Sequence, residues 1–504
     1  MKILLFACPD ATHPLFPRFS RSPNLGLCML AAMVKDLAEV RVADLVLRRE
    51  DVPAAVREAV EAVKPDLVGI SAMTFQYHTA KKIAALVRKL APGARIALGG
   101  YHASLDYKTI AADPEADFDF IIRGEGEATF REFVECLSSG RPADSVRGLS
   151  YRKDGAFVHN EPRPVLDMEK LPLPERKARL WGGYRVLGMP FDCVETSRGC
   201  TMPCTFCSIT RHYGRNYRVY SFDRVLEDVK SAVALGARQI FFVDDNITLD
   251  PARFEELCET LTDPGLGEIT FSTQASILGL YGRPELIEKM ARARFNLVFL
   301  GIENISSRSL AYFKKGDIAK KTLWVLDAFR ENRIMVMGGF ILGSPHDTRE
   351  DVLSQFEFMR ERAIDSYLIQ ILTPYPGTPL SEELDKGGYI VNRDLRRYNG
   401  FYANVHTETL SSRELDFLRW KYAPYYRDLR WWALSTAMRW YPWSLIFKEQ
   451  VARFWELLRE ETRILLRGEE YAFLRYCEEQ VNSNCFFGEK VVPAWPDERK
   501  AVPR

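Results

Sequence analysis

The sequence predicts an α/β protein with two successive sheet-bearing domains and a helical C-terminal region. Three observations predict it. From Lys2 to about Gly140, short apolar runs alternate with stretches of helical spacing, and the alternation resumes after Leu187. Between the two lies a proline-rich interval, and after about Glu408 the strand signal gives way to an aromatic, basic helical pattern. The boundaries predicted are 1–140 for the first domain, 141–186 for a linker, 187–408 for the second domain and 409–504 for the helical region.

In the first domain the predicted strands are Lys2 to Ala7, Glu39 to Asp44, Leu67 to Ala72, Arg95 to Leu98 and Phe120 to Arg123. Leu25 to Lys35, Pro53 to Val63, Thr79 to Leu90 and Ala128 to Leu137 read as the intervening helices, with Pro53 suited to a first helical position. This is a Rossmann-like order. Ligands of such sheets bind at the carboxyl ends of the strands. Ser71-Ala72-Met73-Thr74, Gly99-Gly100-Tyr101-His102 and Gly124-Glu125-Gly126-Glu127 stand there, and their glycines let a large ligand approach the backbone. No GxGxxG follows the first strand, which argues against a dinucleotide. In the linker, Leu149 to Arg152 and Ala156 to Val158 read as a small hairpin.

The second domain opens with a strand, Phe191 to Thr196, that leads into Ser197-Arg198-Gly199-Cys200-Thr201-Met202-Pro203-Cys204-Thr205-Phe206-Cys207. A helix at Phe222 to Leu235 follows, then predicted strands at Gln239 to Asn246, Glu268 to Gln274, Asn296 to Glu303, Met335 to Gly343 and Ser366 to Leu372. Six βα units suggest a partial parallel barrel, with working groups at the C-terminal ends of the strands. Asp244, Asp245, Asn246, Gln274, Glu303, Gly343 and Thr373 occupy those ends.

Three of the ten cysteines stand at CxxxCxxC spacing, Cys200, Cys204 and Cys207. Gly199 and Pro203 favour a loop. Three thiolates suit three irons of a [4Fe-4S] cluster, which leaves the fourth iron open to a ligand. The alternative is a zinc site, which needs a fourth ligand such as Cys193, itself in an apolar run that reads as a strand.

Cys200, Cys204, Phe206 and Cys207, following a strand, resemble the cluster motif of the radical S-adenosylmethionine (radical SAM) superfamily. The resemblance implies that the open iron chelates S-adenosylmethionine and that its reductive cleavage gives a 5′-deoxyadenosyl radical. It places Phe206 near the adenine, and Asp245, Gln274, Glu303 and Gly343 around the nucleotide, Glu303 toward the ribose. The motifs after the first domain's strands resemble the N-terminal cobalamin-binding domain of one class of these enzymes, with a flavodoxin-like sheet. That implies cobalamin contacts at Ser71, Thr74, Gly99, Gly100, His102, Gly124, Glu125, Gly126 and Glu127. The DxHxxG motif of histidine-ligated cobalamin proteins is absent, so His102 is expected to anchor backbone or touch the nucleotide tail rather than bind cobalt. A Rossmann-like domain that has lost its ligand is the bland alternative.

The class implies methyl transfer from methylcobalamin to an unactivated carbon of a hydrophobic or natural-product substrate, with an electron donor such as flavodoxin or ferredoxin. A cobalamin-dependent cyclase that transfers no methyl group is the second reading. A non-catalytic cobalamin-binding or membrane-associated protein is the third. No individual catalytic residue is assigned.

A formal charge of +1 with well-mixed charged residues gives no sign of a polyanionic partner, so no nucleic acid is expected. The first apolar run stops at Pro9-Asp10, too short for a signal peptide, and no run is long enough to span a membrane. A cytoplasmic, reducing location is the expectation. In the helical region Trp420, Tyr422, Tyr425, Tyr426, Trp431, Trp432, Trp440, Tyr441, Trp443 and Phe447 interleave with arginines and lysines. This reads either as a helical cap over the site or as a helix resting on a membrane surface.

Overall fold

In the computed structural model the described residues are 1–11, 20–186, 188–362, 364–423, 454–455 and 458–497. The first sheet is built from β1 (Lys2–Ala7), β3 (Glu39–Asp44), β4 (Leu67–Ser71), β5 (Arg95–Gly99), β6 (Phe120–Ile122), β7 (Leu149–Lys153) and β8 (Ala156–His159), whereas β2 (Ser20–Arg21) joins the second sheet. The order is β3-β1-β4-β5-β6-β7-β8. The first five strands are parallel, and β7 and β8 run antiparallel. The strand order reverses between β1 and β4, and in open α/β sheets ligands bind outside the carboxyl ends at such a point.

Strand interiors are almost wholly apolar because both faces are covered. One face packs on the helices Val52–Val63 and Tyr77–Leu90, and the other on Leu25–Val34 and Gly126–Ser139. Asn24 caps the helix Leu25–Val34 by accepting from the Leu27 N–H, and Asp51 does the same for Val52–Val63. The hairpin expected inside the linker is a correction. It pairs with β6, extending the first sheet to His159, because β6 would otherwise leave an unpaired edge.

The second sheet contains β9 (Arg185–Val186), β10 (Met189–Val194), β13 (Gln239–Phe242), β14 (Thr270–Ala275), β15 (Phe295–Glu303), β16 (Met335–Leu342) and β17 (Ser366–Ile371), while β11 (Ser197–Arg198) and β12 (Arg218–Val219) form a separate two-stranded ribbon. Six strands from β10 to β17 are parallel, in sequence order, and form the curled sheet of a half barrel. β9 and β2 add antiparallel to the β10 edge, so a piece of the N-terminal segment completes the barrel's sheet. At β15 the register slips between Gly301 and Glu303 against β16, and Glu303 takes a left-handed backbone, φ 64°. That bulge turns the end of the strand.

Beyond the barrel, the helix Ser412–Tyr422 buries Trp420 against Phe473 of the helix Glu469–Asn482, so the described start of the aromatic stretch is core. Tyr425, Tyr426, Trp431, Trp432, Trp440, Tyr441, Trp443 and Phe447 lie outside the described residues. After Glu469–Asn482 the chain returns to the first domain. Asn484 donates to the Ala11 carbonyl at 2.9 Å and accepts from the Ala11 N–H at 3.0 Å, and Phe486 and Phe487 rest on the first core. Among the described residues no helix is long and apolar enough to cross a membrane.

Candidate functional site

The cysteine loop leaves the barrel at the carboxyl end of β10 and is held from several sides. Asp244, fully buried, accepts from the Thr196 N–H at 3.1 Å and the Thr196 hydroxyl at 2.6 Å. Burial pushes its carboxyl up to about 6, against the opposing pull of those hydroxyl and N–H donors. Asp245 accepts from the Gly199 N–H at 2.8 Å, one residue before the first cysteine. Gly199 has φ 92°, and a Cβ there would lie 2.5 Å from the Asn216 carbonyl oxygen, so only glycine can enter the loop this way. On the far side the Thr205 N–H donates to the Phe313 carbonyl, and the Thr205 carbonyl accepts from Leu380.

Cys200, Cys204 and Cys207 are half-buried and influence one another electrostatically. Burial pushes the Cys207 thiol up to about 12, with Cys204 and Cys200 adding to it. Burial also raises Cys204, while the Lys315 ammonium opposes it. Neighbouring thiols of which Cys204 and Cys207 resist ionisation suit a site completed by metal, which deprotonates its thiol ligands outright. Among the described residues no three His, Cys, Asp or Glu groups gather tightly enough to hold one ion. The CxxxCxxC trio on one loop suits a polynuclear cluster, in which each sulfur meets its own iron. Cys193 is not a fourth ligand. It is buried in β10 with its sulfur 3.3 Å from the Ser22 hydroxyl.

The residues expected around the nucleotide divide. Asp245 faces the open space beside the loop. Glu303 accepts from Lys315 Nζ at 2.7 Å, a partner invisible to sequence spacing. Gln274 reaches the Asp244 carbonyl at 3.5 Å. Phe206 stands edge-on to Phe313 with ring centroids 5.5 Å apart, in an apolar cluster with Ile341 and Leu380. Gly343 turns at φ 86°, its N–H donating to Asp347 at 2.9 Å, and the position of its absent Cβ is closed by Leu415. The predicted strand Gln239 to Asn246 ends at Phe242, which leaves Asp244, Asp245 and Asn246 on the following loop, where they can bend back to the cysteine loop.

A cavity of about 380 Å³ lies at the carboxyl ends of the first sheet and opens toward that loop. Ser71, Gly99, Gly100, Gly124, Glu125, Gly126 and Glu127 line it. Small residues make its room. A Cβ on Gly69 would lie 2.7 Å from Leu5, and one on Gly126 would lie 3.3 Å from Leu30. Gly100, at φ 93°, has no space for a Cβ beside the Ala72 backbone. Such a cradle, apolar beneath and glycine-rich at its rim, fits a long ligand slotted along the sheet.

Thr74 and His102 are corrections. Neither lines the cavity. Thr74 begins a short 3₁₀ turn with its side chain buried, and His102 is buried against Tyr77 with ring centroids 4.7 Å apart, its Nδ1 without a hydrogen-bond partner among the described residues. Burial pushes His102 down to about 4, so it is a neutral core histidine. Glu125 and Glu127 line the cavity but are engaged by arginine: Arg198 Nη1 lies 2.8 Å from Glu125 and 3.0 Å from Glu127.

The barrel side of the cavity is formed by Glu195, Arg198, His212, Tyr213 and Asp245, and the first domain adds Asn24 and Met73. None of these except Asp245 was predicted as a ligand contact. Their only sequence signal is nearness to the cysteine motif or to a strand end, and the other half of each contact is far away in the chain.

Comparison with known proteins agrees with both halves of this geometry. Residues 18–134 match the model of the B12 binding domain, and residues 194–359 match that of the radical SAM superfamily. An uncharacterized methyltransferase of Pyrococcus horikoshii is 29% identical over 430 residues, 84% of this chain and 92% of the relative. The anaerobic magnesium-protoporphyrin IX monomethyl ester cyclase of Rubrivivax gelatinosus is 26% identical, over 68% of this chain and 62% of the relative. The solved structure of OxsB, a cobalamin-dependent S-adenosylmethionine radical enzyme, superposes with a TM-score of 0.69 at 17% identity, covering 94% of this chain and 74% of that one. Two such matches in this order, with one cavity lined by residues of both, make the chain similar to the radical SAM enzymes that carry an N-terminal cobalamin-binding domain.

Proposed function

We propose that the protein is a cobalamin-dependent radical SAM C-methyltransferase that acts on an unactivated carbon of a small hydrophobic or natural-product molecule. One observation carries the reading. The glycine-lined cavity of the first domain is walled by Arg198, at the start of the loop that bears Cys200, Cys204 and Cys207, and by Asp245, which accepts from the Gly199 N–H of that loop. When bound, the cluster with S-adenosylmethionine supplies a 5′-deoxyadenosyl radical and methylcobalamin supplies the methyl group. The chain's own part is positioning and exclusion of water. The three cysteines hold the cluster, Gly100 and Gly124 admit the corrinoid, Tyr101 and His212 wall the space between, and Glu303 with Lys315 offers a fixed charge pair to the nucleotide.

The match to an uncharacterized methyltransferase over most of both chains supports methyl transfer. The cyclase match favours the second reading, a cobalamin-dependent enzyme that forms or rearranges a ring. An electron donor such as flavodoxin or ferredoxin belongs to either.

The test is anaerobic reconstitution of the full chain with iron, sulfide and cobalamin, followed by an assay for 5′-deoxyadenosine and incubation of candidate substrates with methyl-deuterated S-adenosylmethionine. Label in the product supports transfer, and an unlabelled rearranged product supports the second reading. Cys204→Ala should abolish deoxyadenosine; its continued formation would sink the assignment.

A further inference from the structure

Glu125 touches both ends of the cysteine loop. That loop leaves through β11 and returns through β12, which pair antiparallel so that Arg198 stands opposite Arg218. Each strand thus presents one arginine at the base of the loop. Glu125 Oε1 accepts from Nη1 of Arg198 at 2.8 Å and from Nη1 of Arg218 at 2.9 Å. Its other oxygen accepts from the N–H of Leu166 at 2.8 Å, in the connecting segment. One carboxylate of the first domain therefore joins the outgoing strand, the returning strand and the linker.

The rest of the cluster stiffens this junction. Arg198 is forked onto Glu195 by Nε at 2.9 Å and Nη2 at 2.8 Å. Arg218 also donates to the Leu166 carbonyl at 2.8 Å and to Asn216 at 2.9 Å. The side chains of Arg198 and Glu125 are only 7% and 4% exposed. Buried charges of this kind are held strongly only when every partner is in place, and two-point guanidinium contacts define direction as well as distance.

We propose that Glu125 is a positioning residue that sets the register of the cysteine loop against the cavity of the first domain, so that what binds in one faces what binds on the other. This rests on the function proposed above. It also changes the role that sequence position suggests for Glu125: its oxygens are committed to protein donors, which makes it a brace rather than a ligand contact.

The test uses the full-length protein, loaded anaerobically with iron, sulfide and cobalamin, as wild type, Glu125→Gln and Arg218→Lys. An amide oxygen in place of the carboxylate cannot serve both arginines and the Leu166 N–H. Glu125→Gln should keep wild-type iron and corrinoid content. The spin–spin coupling between the reduced cluster and Co(II) cobalamin, read by electron paramagnetic resonance, should weaken and spread. Product formed per 5′-deoxyadenosine should fall by about a hundredfold, the penalty expected for a misplacement near 1 Å. Arg218→Lys, which keeps a charge near Glu125, should move both readouts the same way by less.

Wild-type coupling and product ratio in Glu125→Gln, with only a lowered melting temperature, overturns the proposal and leaves the functional reading intact. If Glu125→Gln does not fold, wild-type coupling in Arg218→Lys overturns it equally. Wild-type protein that takes up neither cofactor overturns the functional reading and this inference together.

Discussion

Tyr101, next to Gly100 at the carboxyl end of β5, stacks on His212 of the barrel with ring centroids 4.3 Å apart and planes 20° from parallel. One ring comes from each domain, and both line the cavity between them. Burial pushes His212 down to about 4, so the contact at neutral pH is between two uncharged rings and does not depend on salt.

Tyr101→Ala removes this wall and should cost about 3 kcal/mol of stability, in the range of large-to-small aromatic losses. It should also speed cobalamin release. Tyr101→Phe keeps the stack and loses only the hydroxyl's hydrogen bond with Tyr213, so it should cost about 1 kcal/mol. Calorimetry and the rate of corrinoid loss on dilution measure both effects.

Gly100→Ala places a Cβ 2.7 Å from the Ala72 carbonyl oxygen and 2.9 Å from its nitrogen, at φ 93°. Backbone cannot yield as a flexible side chain can. A cost of about 1–3 kcal/mol from strain alone is expected, and corrinoid binding should weaken. Absorption of bound corrinoid after gel filtration is the readout, and wild-type retention would show that the rim tolerates a methyl group.

Glu303 and Lys315 are partners in a largely buried pair, with side chains 12% and 14% exposed. Lys315→Met strands the carboxylate and should destabilise the fold by about 3–5 kcal/mol, whereas adding Glu303→Gln should recover part of the loss. Urea denaturation of the two variants reads the difference. Glu303→Gln alone should lower S-adenosylmethionine affinity about tenfold, the scale of one hydrogen bond to a charged group, with iron content unchanged.

Asp10 supplies a pH test. Its Oδ1 accepts from the Thr79 hydroxyl at 2.6 Å, while its buried Oδ2 has no hydrogen-bond partner among the described residues. Burial raises the carboxyl from 3.8 to about 7, and Thr79 and Arg49 only partly oppose this. The folded state thus holds a proton that the unfolded chain has lost. Its contribution is complete below pH 3.8 and declines as the pH rises toward about 7, by up to about 1.4 kcal/mol per unit. Asp10→Asn should flatten that part of the stability profile and be the more stable form above neutrality. Chemical denaturation at a series of pH values checks the sign.

Much of this architecture is legible locally. β1 ends where its apolar run ends, at Ala7, because a strand interior buried on both faces must be apolar. The helix ends are readable where a side chain caps them, as Asn24 and Asp51 do. The pairing of β2 with β9 is not legible, since two residues on each side carry no periodicity. The same holds for Asn484 bracketing Ala11, whose hydrogen bonds join opposite ends of the chain.

By itself the sequence determined two α/β domains, a cysteine trio on one loop, and glycines at the ends of the first sheet's strands, since apolar spacing and backbone permissiveness are properties of neighbours in the chain. Only the tertiary structure decided that His102 is a core residue, that Thr74 is buried outside the cavity lining, that Lys315 answers Glu303, and that Glu125 contacts both stems of the cysteine loop. A buried charge or ring takes its role from the partner that removes it from water, and those partners are brought together by packing rather than by spacing in the chain.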